Sequence, residues 1–244
     1  MTISTGSGIP ENHILASLPT CDYQHLVPYL EKVALPFEQI LYEAGEPIEY
    51  VYFPERGIVS IVCIMEDGAT VEISVVGNEG MVGMPVVWGG NLTTTCALVQ
   101  VPGFAMRMKA RLFKAEADRI DPLQKLLQHY TQALHTQISQ AVACNRLHTI
   151  EARLARWLLS AHDRMHSDEF LLTQEFISQM LGTRRAGVTQ AAGVLSKAGI
   201  IKYSRGKITI VNRRALEAAS CECYEVVSGE FGRLLGAKTT SSRR

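Results

Sequence analysis

The stretch LTQEFISQMLGTRRAGVTQAAGVLSKAGIIKYSRGKITIV, Leu172 to Val211, decides how this chain is read. Thr173 is an N-cap ahead of a helix that runs to Leu181, and Gly182 can end that helix in a left-handed conformation. Thr183 is then expected to cap a second helix, Arg184 to Ala198, closed by Gly199. Two short helices joined at a glycine turn are the signature of a helix-turn-helix. In the second helix Val188, Ala191, Ala192 and Leu195 make the buried stripe, which leaves Arg184, Arg185, Gly187, Thr189, Gln190 and Lys197 toward solvent. The stretch ends in two β-branched runs, Ile200–Ser204 and Ile208–Val211, around a tight Arg205-Gly206-Lys207 turn. That is a β-hairpin, a wing, with a cationic tip.

These residue types suit a nucleic acid. Arginine bonds the two acceptors of guanine and glutamine those of adenine, and the first turn of such a helix is what enters a major groove. Arg184, Arg185, Thr189 and Gln190 are therefore the candidate base-reading residues. Thr173, Gln174, Arg205 and Lys207 are the candidates for phosphate contact, which raises affinity and adds little discrimination. Exposed arginines are usually only solvated and glycines end many helices. The order helix, glycine, helix, glycine, basic hairpin is the specific signal.

The charge distribution agrees. The formal net charge is zero, with 24 Lys+Arg against 24 Asp+Glu. Residues 1–148 hold 9 of those cations against 15 anions, a net of −6, and residues 149–244 hold 15 against 9, a net of +6. Only the back half is built to meet a polyanion.

Working outward, residues 1 to about 20 read as a loose Ser/Thr/Gly/Pro-rich arm, followed by a short amphipathic helix on Tyr23, Leu26, Val27 and Leu30. From Val33 to Met108, short runs such as Ile58-Val59-Ser60-Ile61-Val62 and Thr70-Val71-Glu72-Ile73-Ser74-Val75 alternate with Gly-containing turns. This is the pattern of a closed antiparallel barrel or sandwich. After Pro122, Leu123, Leu127, Tyr130, Leu134, Ile138, Ala141, Asn145 and His148 recur at steps of three and four along a helix of about 25 residues or more. The stripe can pack on its own barrel, but its length favours the same helix of a second copy. Leu127, Tyr130, Leu134, Ile138 and Ala141 are the expected dimer seam. Thr149 caps the next helix, with Leu154, Trp157, Leu158 and Ala161 inward, and the joint between the two helices is a natural hinge. The expected domains are a sensor roll with its arm and helix over 1–118, a dimerisation helix over 119–148, the DNA-binding domain over 149–216, and a C-terminal helix and tail over 217–244.

With these motifs, Leu172-Thr173-Gln174-Glu175 through Leu181-Gly182-Thr183-Arg184-Arg185-Ala186-Gly187-Val188, and the segment from Leu195 to Ile201, the chain resembles the cyclic-AMP receptor / fumarate-nitrate regulator (Crp/Fnr) family over nearly its whole length. The resemblance implies an α+β fold: an N-terminal cyclic-nucleotide-binding-like β-roll, a long dimerisation helix and a C-terminal winged helix-turn-helix. It implies a homodimer that binds a palindromic site in double-stranded promoter DNA and meets RNA polymerase, with base-reading positions on Arg184, Arg185 and Gln190. The acidic residue that often follows the reading arginine is Ala186 here, so the target need not be the best-known operator. In the family's ligand pocket the matching stretches are Gly83-Met84-Pro85 and Thr94-Thr95-Cys96, and both charged contacts to a cyclic nucleotide are missing. Gly83, Met84, Thr94 and Thr95 are thus a degenerate pocket. No Lys or Arg occurs from Gly57 to Ala105, and a buried cyclic phosphate without a cation faces a substantial desolvation penalty. Cyclic AMP and cyclic GMP are therefore disfavoured as the small-molecule effector, and the sequence names no other.

Other classes are disfavoured. The iron-sulfur sensors of the family use a cysteine cluster near the N-terminus, where this chain offers only Cys21, and haem finds no histidine between His25 and His129. The six cysteines are irregularly spaced, unlike a disulfide framework, and read as small buried apolar residues. Cys221 and Cys223, two apart on a helix, are expected to point to different sides, and His162 with His166 lacks a third ligand, so neither a metal nor another cofactor is expected. A cupin-like oxygenase needs histidines inside the roll, and residues 33–128 contain none. The phosphate loop of nucleotide hydrolases is absent. A ligand-binding module acting through protein contacts is the alternative, which the basic wing argues against. No stretch is long and apolar enough for a membrane span, and the cytoplasm is the expected location.

Overall fold

In a computed structural model, the described residues are 10–165, 167–204 and 206–236. They divide into two units: the first holds 10–61, 75–135 and 231–236, the second 62–74 and 136–230.

The first unit opens with α1 (His13–Ala16) and α2 (Thr20–Leu26), the latter continued by a 3-10 turn at Val27–Tyr29. The described part of the expected loose arm is thus ordered. Buried Asn12 explains it: its side-chain oxygen accepts from the Ile14 and Leu15 amides, while its amide donates to the Pro54 and Gly80 carbonyls at 3.0 and 2.8 Å. Strands β1 (Glu31–Leu35), β2 (Ile40–Tyr42), β3 (Tyr50–Ile64), β4 (Thr70–Val76) and β5 (Cys96–Lys109) follow, with a 3-10 turn at Met84–Val86. They form one sheet in the order β1-β5-β3-β4, with β2 also on β5. β1 and β5 run antiparallel with Glu31 opposite Arg107 and Leu35 opposite Gly103. α3 (Ala110–Arg119) lays Phe113 edge-on against Phe53, ring centroids 5.7 Å apart, in the core of the roll.

Helix α4 (Asp121–Leu147) passes through the division between the units. Leu123, Leu127, Tyr130 and Ala141 are buried within the chain itself, and Leu134 and Ile138 are half-buried. Of the expected seam, Leu127, Tyr130 and Ala141 thus pack within their own chain, and Leu134 and Ile138 keep part of their surface open. Tyr130 sits over Gly80, donates its hydroxyl to the Met81 carbonyl at 3.2 Å and meets the Phe231 ring edge-on. The stripe exists, but its largest side chains are spent inside the protomer.

The second unit contains α5 (Ile150–Met165), β6 (Glu169–Leu171), α6 (Gln174–Met180), α7 (Arg185–Lys197), β7 (Ile201–Ser204), β8 (Lys207–Ile210), α8 (Arg213–Ala219) and α9 (Cys223–Leu235). Its core is Leu154, Trp157 and Leu158 of α5 and the Val188, Ala191, Ala192, Leu195 stripe of α7, buried as expected, together with Phe176 and Ile177 of α6. Residues 62–74, the tip of the β3–β4 hairpin, belong to this unit. Trp157 Nε1 donates to Glu72 Oε1 at 3.0 Å, and the Ser74 hydroxyl donates to Gln137 Oε1 at 2.7 Å.

One expectation about the cysteines is overturned. Cys221 lies in the turn ahead of α9 and Cys223 on its first residue, so their sulfurs do not splay around one helix; both are buried in a cluster with Cys144.

Candidate nucleic-acid interface

Thr173 caps α6, its hydroxyl oxygen accepting from the Phe176 amide at 3.1 Å. The helix stops because Gly182 takes φ +55°, which lets its amide reach the Gln179 carbonyl and the Thr183 amide reach the Ser178 carbonyl, at 3.0 and 2.9 Å. This double closure is a Schellman motif. It corrects one detail: Thr183 is used to finish α6, and Arg184, with extended backbone, takes the cap position of α7 instead. No side chain caps α7, so the positive end of its backbone stays open to an outside acceptor. At the other end Gly199, at φ +71°, closes α7 in the same way through the Gly199 and Ile200 amides.

Behind the turn, Arg153 of α5 is buried and donates to the Leu181 carbonyl, an acceptor that the end of α6 leaves over. Burial pushes its guanidinium below the usual value. In front of the turn lies a cleft of about 770 Å³, bounded by Asp67 and Val71 of the hairpin tip and by Glu175, Gln179, Thr183 and Arg184.

Arg184, Arg185, Thr189 and Gln190 are all exposed around the first turns of α7. The Thr189 hydroxyl donates to Gln174 Oε1 at 2.8 Å, which brings a candidate base reader and a candidate phosphate contact together across the two helices. Thr173 is exposed, and Gln174 half-exposed. On the wing, β7 and β8 pair antiparallel with Ser204 opposite Lys207. Lys207 is exposed and lies 2.6 Å from Glu169. Arg205, the other expected wing cation, lies outside the described residues, as does His166. His162 is engaged by Asp168 at 2.7 Å and by Arg213.

The wing holds a strand that the sequence reading missed. β6 pairs antiparallel with β8, Glu169 opposite Thr209 and Leu171 opposite Lys207, and buries Phe170. A three-residue strand is too short to show alternation; the lone Phe170 between Glu169 and two leucines is its only trace.

In the roll, Gly83 at φ +101° starts the Met84–Val86 turn and Met84 is buried. Thr94 is exposed and Thr95 half-buried, its hydroxyl 2.9 Å from that of Thr93. The cations nearest in sequence to the Gly57–Ala105 gap are already paired: Arg56 with Glu11 at 3.0 Å and Arg107 with Glu31 at 2.9 Å. Lys32 is likewise held 3.0 Å from Glu55.

A family model described as the Crp-like helix-turn-helix domain matches residues 152–219, and one described as the cyclic nucleotide-binding domain matches residues 32–118. The chain belongs to the Crp/Fnr family. Among solved structures it is similar to FixK2 from Bradyrhizobium japonicum, with 19% identity over 79% of this chain and 98% of that one and a TM-score of 0.68. It is similar to a CRP/FNR-family transcriptional regulator from Thermus thermophilus, with 17% identity over 78% and 98% of the two chains and a TM-score of 0.61. It is also similar to CLP, the c-di-GMP responsive global regulator of Xanthomonas campestris, with 11% identity, 79% and 99% covered and a TM-score of 0.65. At these identities the likenesses show the α+β Crp/Fnr fold. No curated protein matches the sequence. As a Crp/Fnr regulator the protein is a DNA-binding transcription factor and not an enzyme. Among the described residues no helix is long and apolar enough to cross a membrane.

Proposed function

We propose that this Crp/Fnr regulator works in the cytoplasm as a homodimer on a palindromic promoter site, where it contacts RNA polymerase, and that its roll responds to a small molecule other than a cyclic nucleotide. The observation that carries the reading is the open first turn of α7. Arg184, Arg185, Thr189 and Gln190 are exposed there together, with no side chain capping the helix. Arg184, Arg185 and Gln190 read base edges, with Thr189 held beside them by Gln174. Thr173, Gln174 and Lys207, with Arg205, lie against phosphates.

The dimer uses α4. Its inner stripe is occupied, but Val142 is 68% exposed and continues, at steps of four, from half-buried Leu134 and Ile138. That leftover apolar face is what a second copy would cover. The functional division then follows the chain as roll 1–118, pairing helix 119–148, DNA-binding domain 149–216 and C-terminal segment 217–244, with the α4–α5 joint as hinge. A signal in the roll shifts the population of DNA-competent arrangements, and the hairpin tip 62–74 gives it a route, because Glu72 holds Trp157 inside the DNA-binding unit.

The decisive experiment is binding of a promoter fragment by the wild type and by Arg184→Ala/Arg185→Ala over a salt series. Loss of specific binding with a shallower salt dependence supports the reading. Unchanged, salt-insensitive binding refutes it. Sedimentation of the same protein should give the mass of two chains, and Ile138→Glu should give one.

A further inference from the structure

Four metal-ligating side chains meet at one point of the second unit. Cys144 and His148 are four residues apart, which puts them on one side of the C-terminal end of α4. Cys221 and Cys223 come from the turn and first residue of α9. One ligand atom from each lies within 4.8 Å of all the others. Cys144 Sγ is 3.5 Å from Cys221 Sγ, and Cys223 Sγ is 3.6 Å from His148 Nδ1. A tetrahedron with bonds of ~2.3 Å to sulfur and ~2.0–2.1 Å to nitrogen has edges of about 3.8 Å between sulfurs and about 3.6 Å from sulfur to nitrogen. The sulfur–nitrogen edge matches that figure, the sulfur–sulfur edge is within about 0.3 Å of it, and the other pairs, all within 4.8 Å, close on it with small side-chain shifts.

The surroundings fit as well. All three sulfurs are buried, which suits a closed structural site without an open coordination position. His148 presents Nδ1 to the sulfurs while its Nε2 lies 3.3 Å from Glu222 Oε2, the carboxylate–imidazole arrangement that orients a metal-bound histidine. Three thiolates and one imidazole around a dication leave one negative charge. Arg156 is placed to balance it: its guanidinium lies within electrostatic reach of Cys144, and its buried Nε has no hydrogen-bond partner among the described residues.

We propose that Cys144, His148, Cys221 and Cys223 bind a single zinc-class divalent ion, which staples the end of α4 to the α8–α9 turn beside the hinge. Donors this close together suit one ion rather than a cluster whose ligands are spread over several irons. A Cys144–Cys221 disulfide would need the sulfurs to close from 3.5 Å to ~2.05 Å.

The test uses the full chain, purified under reducing conditions and analysed for metal by plasma mass spectrometry. About one zinc per chain is expected. After chelation, added Co²⁺ should give the intense visible bands and thiolate charge-transfer absorption of a tetrahedral site, bleached by Zn²⁺. His148→Ala and Cys223→Ser should each lower bound metal about tenfold or more, while Cys21→Ser, remote and exposed, should not. Failure of either variant to fold leaves the wild-type stoichiometry and Co²⁺ spectrum as the deciding readouts. Less than about 0.1 metal per chain after zinc reconstitution, an octahedral Co²⁺ spectrum, or a Cys144–Cys221 disulfide in metal-free protein overturns the proposal. None of these readouts depends on promoter binding.

Discussion

Gly182→Ala tests how tightly the helix-turn-helix is fitted to the hairpin tip. Gly182 has φ +55°, and a Cβ placed on it would lie 2.9 Å from Val71 Cγ2 and 3.4 Å from Val71 Cβ. Two costs follow. Holding an alanine in the left-handed region costs ~1–2 kcal/mol. Forcing the Val71 side chain off its rotamer adds roughly 0.5–1.5 kcal/mol. The substitution should therefore destabilise the second unit by about 1.5–3.5 kcal/mol. In a Val71→Ala background the nearest clashing atom is gone and only the backbone cost remains, so the two substitutions should couple favourably by about 1 kcal/mol. The assay is urea unfolding followed by fluorescence of Trp157, which is buried in this unit, with exposed Trp88 of the first unit replaced by phenylalanine. Penalties that add to within about 0.3 kcal/mol would refute the reasoning, because they would mean that Val71 does not rest on the turn.

Three further outcomes follow from the geometry. Asn12→Ala removes a cap worth ~1 kcal/mol and leaves the Pro54 and Gly80 carbonyls without their donor, so it should cost about 2–4 kcal/mol in denaturant titrations; a loss below about 0.5 kcal/mol contradicts the bonding described. Burial raises the Tyr42 hydroxyl to about 12, with the Thr95 hydrogen bond opposing the shift. The folded state thus keeps a proton that the unfolded state releases near pH 10, and stability is complete below that pH and falls by roughly 2–3 kcal/mol as pH rises from about 10 to about 12. Tyr42→Phe should flatten that alkaline limb, and an unchanged limb would show that Tyr42 does not cause it. Lys207→Ala breaks only an exposed ion pair with Glu169, so stability should change by less than about 0.5 kcal/mol. Promoter affinity should nonetheless fall alike on all sequences, with the salt slope reduced by ~1 for each phosphate that the lysine neutralises; a base-specific loss would move Lys207 to the reading surface.

The DNA-binding segment was legible because its boundaries are chemical. Thr173 caps, Gly182 and Gly199 stop, and the apolar spacing of α7 has one solution. The placement of Arg184 at the cap was not, since it depends on the Thr183 amide being taken by Ser178, a choice between two turn closures that share the same residues. The stripe on α4 shows how far periodicity reaches: it told which face is buried, and could not tell that Tyr130 closes over Gly80 of its own roll. The Cys144, His148, Cys221, Cys223 group joins segments more than seventy residues apart. Cys144-x3-His148 is the half of it that sequence spacing can show; the other half depends on Cys221 lying outside α9, which begins only at Cys223.

β6 changes what the wing is. A free two-stranded hairpin is marginal in water, and fixing each backbone residue costs ~1–2 kcal/mol of conformational entropy. Here β8 is held on both edges, by β7 and by β6, with Phe170 anchored in the core. That ordering is completed when the chain folds, long before any duplex arrives. On the proposed phosphate role of Lys207, the strands carrying it would meet DNA as a stiff, preorganised arm, so that little of the attraction gained at each phosphate is lost again in immobilising the backbone behind it.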